Sequence, residues 1–206
     1  MIVLRKKYHC GEIRPLFRGV LHSMISLLMF MSFILIYFEN NFALFGTFFV
    51  FVSYLISSVF HLIYFENNID YWINVLDHFG IQLHGIGMQM LSSNFKLDSI
   101  STITQIIINA IDSILCINIH NYITNIFHLL TFFISFSIGF FNTFGYEVFS
   151  NLFYFLGMVV YITGGLFYIL KSPKSNEYWG YHELYHLFIA FGDLIFFYDA
   201  YVIGNL

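Results

Sequence analysis

Seven apolar stretches, each long enough to cross a lipid bilayer, occupy most of this chain of 206 residues. A transmembrane helix needs roughly 20 consecutive apolar residues. The hydrophobic share of 59% and the charged share of 10% are far from the balance of a soluble domain. We therefore predict an all-α membrane protein, a single domain over residues 1–206 built as a bundle of seven transmembrane helices. The predicted helices cover residues 16–38, 42–65, 71–92, 100–119, 122–141, 149–170 and 181–203.

The distribution of basic residues predicts the orientation of this bundle. Seven of the eight lysines and arginines either precede the first helix or lie between the sixth and the seventh. Because basic residues collect on the cytoplasmic side of membrane proteins, both places are predicted to be cytoplasmic, with six crossings between them. The N-terminus is then cytoplasmic and the C-terminus lies on the opposite side. The seven residues are Arg5, Lys6, Lys7, Arg14, Arg18, Lys171 and Lys174.

Several classes of function are excluded by composition and segment lengths. Beyond the N-terminal basic cluster, which topology explains, nothing is basic enough to bind nucleic acid. The connections between the apolar stretches are too short for a soluble module, and the two cysteines have no metal or disulfide spacing. The first apolar stretch is too long for a cleaved signal peptide. We expect the predicted bundle itself to carry the function, with membrane lipid as the partner.

Histidines at the ends of predicted helices indicate a metal site. His182 and His186 are four residues apart, and therefore share one helix face at the start of the last stretch. His61 lies near the end of the second helix, and Asp77 lies about one turn into the third. In the predicted topology all four share one depth. Three imidazole ligands leave the fourth tetrahedral position for water, as in catalytic zinc sites, so we predict that His61, His182 and His186 bind Zn²⁺.

Two carboxylates are candidates for the catalytic base beside this zinc. Asp77 is the first, as the base that orients water and takes its proton. Glu183 is the rival, because residues 182–186 formally match the HExxH pattern of zinc proteases, in which the glutamate is the base. On a helix, however, Glu183 points about 100 degrees away from His182. His61 alone would more often be a packed histidine than a ligand, and Asp77 alone could simply reach towards water.

Two further polar residues are predicted inside the bundle. Asp193 lies seven residues beyond His186 on a similar helix face, where it either lines a polar cavity or bonds to a neighbouring helix. His84 lies seven residues beyond Asp77, where it either faces the same cavity or packs between helices. The sequence leaves both alternatives open.

Four sequence segments together resemble the haemolysin III branch of the progestin and adiponectin receptor family. They are residues 14–22 (RPLFRGVLH), Ser57 with His61, residues 76–78 (LDH) and residues 180–186 (GYHELYH). The resemblance implies a seven-helix bundle with a cytoplasmic N-terminus and a zinc ion near the cytoplasmic face, held by His61, His182 and His186. It also implies that Asp77 contacts the zinc-bound water and that Ser57 lies in the same site. Residues 82–87 (QLHGIG) replace a small-residue and proline segment of the family, which leaves the choice of substrate open.

Three functions are compatible with the sequence. The first is a zinc-dependent hydrolase of lipid amides or esters, since the resemblance implies ceramidase-like chemistry, with Asp77 and Ser57 as catalytic residues. The second is a pore-forming haemolysin that lyses membranes, as a homo-oligomer in which zinc only ties helices together. The third is a receptor-like protein that signals without catalysis. A plasma membrane and an organelle membrane, such as that of a vacuole, both fit the sequence.

Overall fold

A computed structural model describes residues 15–35, 41–63, 65, 68–91, 107–108, 110–112, 114, 130, 134 and 148–198. The described residues confirm the all-α class. Five helices follow one another: α1 (Leu16–Leu35), α2 (Asn41–Leu62), α3 (Asn68–Met90), α4 (Val148–Leu170) and α5 (Tyr181–Tyr198). They coincide with the first, second, third, sixth and seventh predicted segments, and their ends differ by a few residues.

The predicted helices at 100–119 and 122–141 fall mostly outside the described residues. The few positions described there, residues 107–108, 110–112, 114, 130 and 134, are helical. The count of seven helices and the cytoplasmic N-terminus remain predictions.

The helices carry apolar side chains outwards and polar side chains inwards. Leu27, Leu28 and Ile34 on the outer face of α1 are each more than half exposed. Many of the buried side chains are polar or charged. They are Arg18, His22, Ser26, Thr47, Ser53, Ser58, His61, Asp70, Gln82, His84, Asp112, Glu183 and Asp193. An apolar exterior of this extent marks a surface that faces lipid or another apolar partner.

Two of the described helices are long and apolar enough to cross a membrane. The spans are Phe17–Ile34 in α1 and Ala43–Leu62 in α2, and α4 contains a shorter apolar helix segment, Phe155–Leu170. Length and composition therefore support membrane-helix character for this part of the chain.

The packing order places α2 between α1 and α3, pairs α4 with α5, and brings α1 against α5. The buried core contains side chains from all five helices, among them Met29, Val50, Met88, Tyr161 and Phe196. Because α1 contacts both α2 and α5, residues on these three helices can share one site.

The connection between α4 and α5 is joined to the start of α1. The Asn176 side-chain oxygen accepts the amides of Tyr178 and Trp179, each at 2.8 Å. The backbone amide of Phe17 in turn donates to the Tyr178 carbonyl oxygen at 3.2 Å. These bonds fix the first turn of α5, which carries the paired histidines, beside the first turn of α1.

Helices α2 and α3 cross at a pair of glycines. A Cβ added at Gly46 would lie 2.5 Å from the carbonyl oxygen of Gly87, and a Cβ at Gly87 would lie 2.7 Å from that of Gly46. Both distances are too short for real atoms, so the two backbones approach this closely only because neither residue has a side chain.

We expect Gly87→Ala to lower the free energy of unfolding by about 1–3 kcal/mol, the usual cost of overpacking. Gly85→Ala is the matched control on the same helix, because a Cβ at Gly85 meets nothing within 4 Å. This control should be neutral, or stabilising by about 0.5–1 kcal/mol, since alanine favours a helix over glycine. Thermal unfolding of the detergent-solubilised variants measures both effects, and equal effects at the two positions would contradict the crossing.

Candidate metal centre

Three histidines from three different helices converge inside the bundle. One ring nitrogen each of His22 on α1, His61 on α2 and His186 on α5 lies within 4.8 Å of the other two. The ring centroid of His22 is 4.1 Å from that of His186 and 5.0 Å from that of His61. His22 and His61 are buried, and His186 is partly buried. The cluster exists only when α1, α2 and α5 pack together.

A backbone hydrogen bond fixes the tautomer of His22. Its Nδ1 lies 2.6 Å from the carbonyl oxygen of Arg18, one turn earlier in α1. A carbonyl oxygen only accepts, so Nδ1 carries the hydrogen and a neutral His22 has its lone pair on Nε2. Histidines that bind metals usually donate their other ring N–H to a carbonyl or carboxylate in this way.

His186 provides a second observation that favours a ligand. Its Nε2 is buried and has no hydrogen-bond partner among the described residues. Since buried polar atoms are almost always bonded, such an atom calls for an explanation, and a bound ion is one.

The dimensions of the cluster suit a transition metal after small side-chain rotations. Zn–N bonds of 2.0–2.1 Å place tetrahedral ligands roughly 3.3 Å apart, and the nitrogens here lie within 4.8 Å of one another. Imidazole ligands suit Zn²⁺ as well as copper, iron and nickel. The residues therefore fit a zinc ion.

His182, which the sequence assigns to the metal together with His61 and His186, lies beside this cluster. Its ring centroid is 4.7 Å from that of His186 and 5.8 Å from that of His61. Its ring also contacts Tyr168, at a centroid distance of 5.4 Å. The histidines whose ligand atoms converge are therefore His22, His61 and His186, and His182 lies beside them. Zinc binding by His61, His182 and His186 remains a prediction.

His22 is the residue at this site that the sequence reasoning did not identify as a candidate ligand. It ends the segment at 14–22 on which the family resemblance rests. That segment was the available signal, but an isolated histidine in the first helix has no neighbouring partner in the sequence to indicate a metal.

Asp77 and Ser57 lie near His61. The Asp77 Oδ2 atom is 4.0 Å from the His61 Nε2 atom, somewhat beyond hydrogen-bond distance, and the Asp77 side chain is 15% exposed. Ser57 is partly buried one helical turn before His61, and therefore shares its helix face. Asp77 therefore lies beside the cluster and is partly exposed.

Glu183, the rival candidate for the base, is held by a buried ion pair. The Arg18 Nε atom donates to Glu183 Oε1 at 2.5 Å, and both side chains are almost fully buried. Arg18 therefore does not precede the first helix, as the charge pattern suggested, but lies within α1 and joins it to α5. One carboxylate oxygen of Glu183 is thus bound to a guanidinium, and the choice of Asp77 as the base remains a prediction.

A family model described as haemolysin-III related matches residues 10–197, which is most of the chain. This chain belongs to the haemolysin III-related family. The match confirms the resemblance based on the four sequence segments, and the two candidate spans agree with the membrane association of haemolysin III-related proteins. No curated protein matches the sequence. The matched region contains His22, His61, Asp77, His182, Glu183 and His186.

We expect Arg18→Met to destabilise the bundle by about 3–5 kcal/mol, because it leaves the Glu183 carboxylate buried without its cation. The double variant Arg18→Met with Glu183→Gln removes both charges and should recover part of that loss. Thermal unfolding of the wild type, the two single variants and the double variant forms a double-mutant cycle. Strictly additive effects would show that the two side chains do not interact.

Proposed function

We propose that this haemolysin III-related protein is a multi-pass membrane hydrolase that uses a zinc ion to cleave an amide or ester bond of a lipid. The observation that carries the proposal is the convergence of histidines from α1, α2 and α5 beside the Asp77 carboxylate of α3. Family membership supports the membrane setting, and the choice of reaction rests on the residues of the cluster.

His61, His182 and His186 would hold the ion, with the Nε2 of His22 directed to the same place. When bound, zinc would supply Lewis-acid chemistry by polarising a carbonyl group and lowering the pKa of water towards about 7. The helices hold the imidazoles in place, and the Arg18 carbonyl oxygen sets the tautomer of His22.

Asp77 would take up the proton of the attacking water. Its carboxylate oxygen is 4.0 Å from a histidine nitrogen of the cluster, and its side chain is partly exposed, unlike that of Glu183. Ser57, one turn before His61, would orient the substrate by a hydrogen bond from its hydroxyl group. General acid–base catalysis of this kind contributes roughly 10²- to 10⁴-fold in rate.

The position of the cluster along the helices favours a lipid substrate. His61 is in the last turn of α2, His182 and His186 are in the first two turns of α5, and His22 is in the second turn of α1. In a bilayer these helix ends lie near one interface, the depth at which the amide and ester groups of lipids also lie. The apolar outer faces of the helices would allow a lipid to approach from the side.

The first test measures zinc per chain together with hydrolysis of a ceramide and phospholipid panel. We expect about one zinc in the wild type and its loss in His186→Ala. Asp77→Asn should keep the metal and lose at least about 10²-fold in rate. Asp70→Asn is the matched control, since Asp70 is a buried carboxylate in the first turn of the same helix. A chelator should abolish turnover, and added zinc should restore it.

Other outcomes of this test distinguish the remaining functions. Bound zinc without turnover of any lipid in the panel would reject the hydrolase. Leakage of dye from liposomes that survives Asp77→Asn would instead support a pore. A wild type that binds no zinc would reject the metal centre itself.

A second test concerns the contribution of α1. We expect His22→Gln to lower zinc affinity by about 10- to 100-fold, because the variant loses an imidazole directed to the ion. Competition with a chromophoric chelator measures this affinity, and His182→Gln provides the comparison. Unchanged affinity in His22→Gln would exclude His22 from the metal centre.

A further inference from the structure

A second polar cluster lies deeper in the bundle, around Asp193. This aspartate is fully buried in α5, about two helical turns beyond His186. The Tyr54 hydroxyl group of α2 donates to Asp193 Oδ2 at 2.5 Å, and the Tyr161 hydroxyl group of α4 donates to Oδ1. The His84 Nε2 atom of α3 lies 3.0 Å from Oδ1. One carboxylate therefore joins four helices.

The other nitrogen of His84 fixes where the protons of this cluster lie. The Ser53 hydroxyl oxygen is 2.7 Å from the Val50 carbonyl oxygen and 3.3 Å from His84 Nδ1. A hydroxyl group has one proton, and the nearer acceptor is the carbonyl, so Ser53 accepts a hydrogen bond from His84 Nδ1–H. In a catalytic Ser-His-Asp triad the serine would donate to the imidazole instead.

With its hydrogen on Nδ1, a neutral His84 has only a lone pair at Nε2. An ionised Asp193 also has only lone pairs, and two acceptors cannot bond at 3.0 Å. One additional proton must lie between them, either on Nε2, which makes His84 a cation, or on Asp193, which makes it a neutral acid. With the hydrogen of His84 on Nδ1, the donor and acceptor roles therefore place one shared proton at this contact.

The balance of charge inside the bundle independently requires the same shared proton. Among the described side chains that hydrogen-bond to Asp193, only His84 can carry a positive charge, because the other two are tyrosines. A fully buried carboxylate without a compensating charge is strongly unfavourable. The shared proton makes the whole cluster neutral.

We propose that His84 and Asp193 form a proton-binding site inside the bundle, separate from the histidine cluster. The groups that face it are Tyr54 on α2, Tyr161 on α4 and Tyr185 on α5. On the side towards α1, the Tyr54 ring is 5.3 Å from that of His84 and 6.1 Å from that of His22, measured between centroids. Tyr54 thus stands between the proton site and the candidate metal centre. Neither a bound metal nor turnover is needed for this inference.

The test locates the shared proton spectroscopically at neutral pH. In wild type, ¹⁵N spectra of labelled histidine should show both nitrogens of His84 protonated, or infrared spectra should show the C=O stretch of a carboxylic acid at Asp193. Asp193→Asn should remove this signal and leave His84 with one N–H. Asp112→Asn is the matched control, because Asp112 is a buried carboxylate bonded to the Gln82 amide, and it should leave the signal unchanged.

A second variant keeps the proposal testable where Asp193→Asn does not yield folded protein. In His84→Gln the glutamine side chain can still donate an N–H to Asp193, but it cannot carry a positive charge. The shared proton should therefore lie on Asp193, and its carboxylic acid band should be present in this variant. Tyr54→Phe removes one hydrogen bond to Asp193 without changing the charge of the cluster. It should shift the same signal and thereby assign that signal to Asp193. An ionised Asp193 beside a His84 with a single N–H in wild type, or an ionised Asp193 in His84→Gln, would overturn the proposal.

Discussion

The structure depends on one constraint: polar side chains inside an apolar bundle must find their partners on other helices. Arg18 of α1 pairs with Glu183 of α5, and Asp193 of α5 is bonded from α2, α3 and α4. Apolar packing alone is tolerant of small shifts and rotations, because neighbouring apolar surfaces are nearly equivalent. Hydrogen bonds and ion pairs between helices do not tolerate such shifts, because a displaced partner leaves a buried polar group without a hydrogen bond. The polar interior therefore determines which faces of these helices meet.

The same constraint explains why the candidate site lies at one end of the bundle. His22 and His186 lie in the second turns of α1 and α5, and His61 lies in the last turn of α2. Asp77 lies in the third turn of α3. Because these histidines meet, the starts of α1 and α5 and the end of α2 lie on one side of the bundle, which agrees with the predicted topology. The hydrogen bond from Phe17 to the Tyr178 carbonyl oxygen then joins the first turn of α1 to the segment ahead of α5. In the proposed function, such a site would lie close to a membrane interface, where a polar reaction can meet an apolar substrate.

Hydropathy predicts the five described helices to within a few residues, because length and apolarity are local properties of the sequence. The depth of His61, Asp77 and His186 also follows from topology, and the structure brings these residues close together. What the sequence does not contain is rotation about each helix axis, which decides the neighbours. The sequence therefore shows Arg18 only as a charge near the start of a helix, because its partner lies 165 residues away. For the same reason His22 was not identified as a candidate ligand, and the alternatives for His84 and Asp193 stayed open until four helices were placed together.

The two polar clusters differ in how many of their polar atoms have hydrogen-bond partners within the cluster. Around Asp193 every bond has a donor and an acceptor once a single proton is shared, so the cluster needs nothing from outside. The histidine cluster brings imidazoles against one another, and neutral imidazole lone pairs that face each other repel unless a cation lies between them. His186 Nε2, buried without a hydrogen-bond partner among the described residues, is the clearest sign of this difference. The deeper cluster can therefore join helices by itself, whereas the cluster at the helix ends brings together three histidines that could hold an ion.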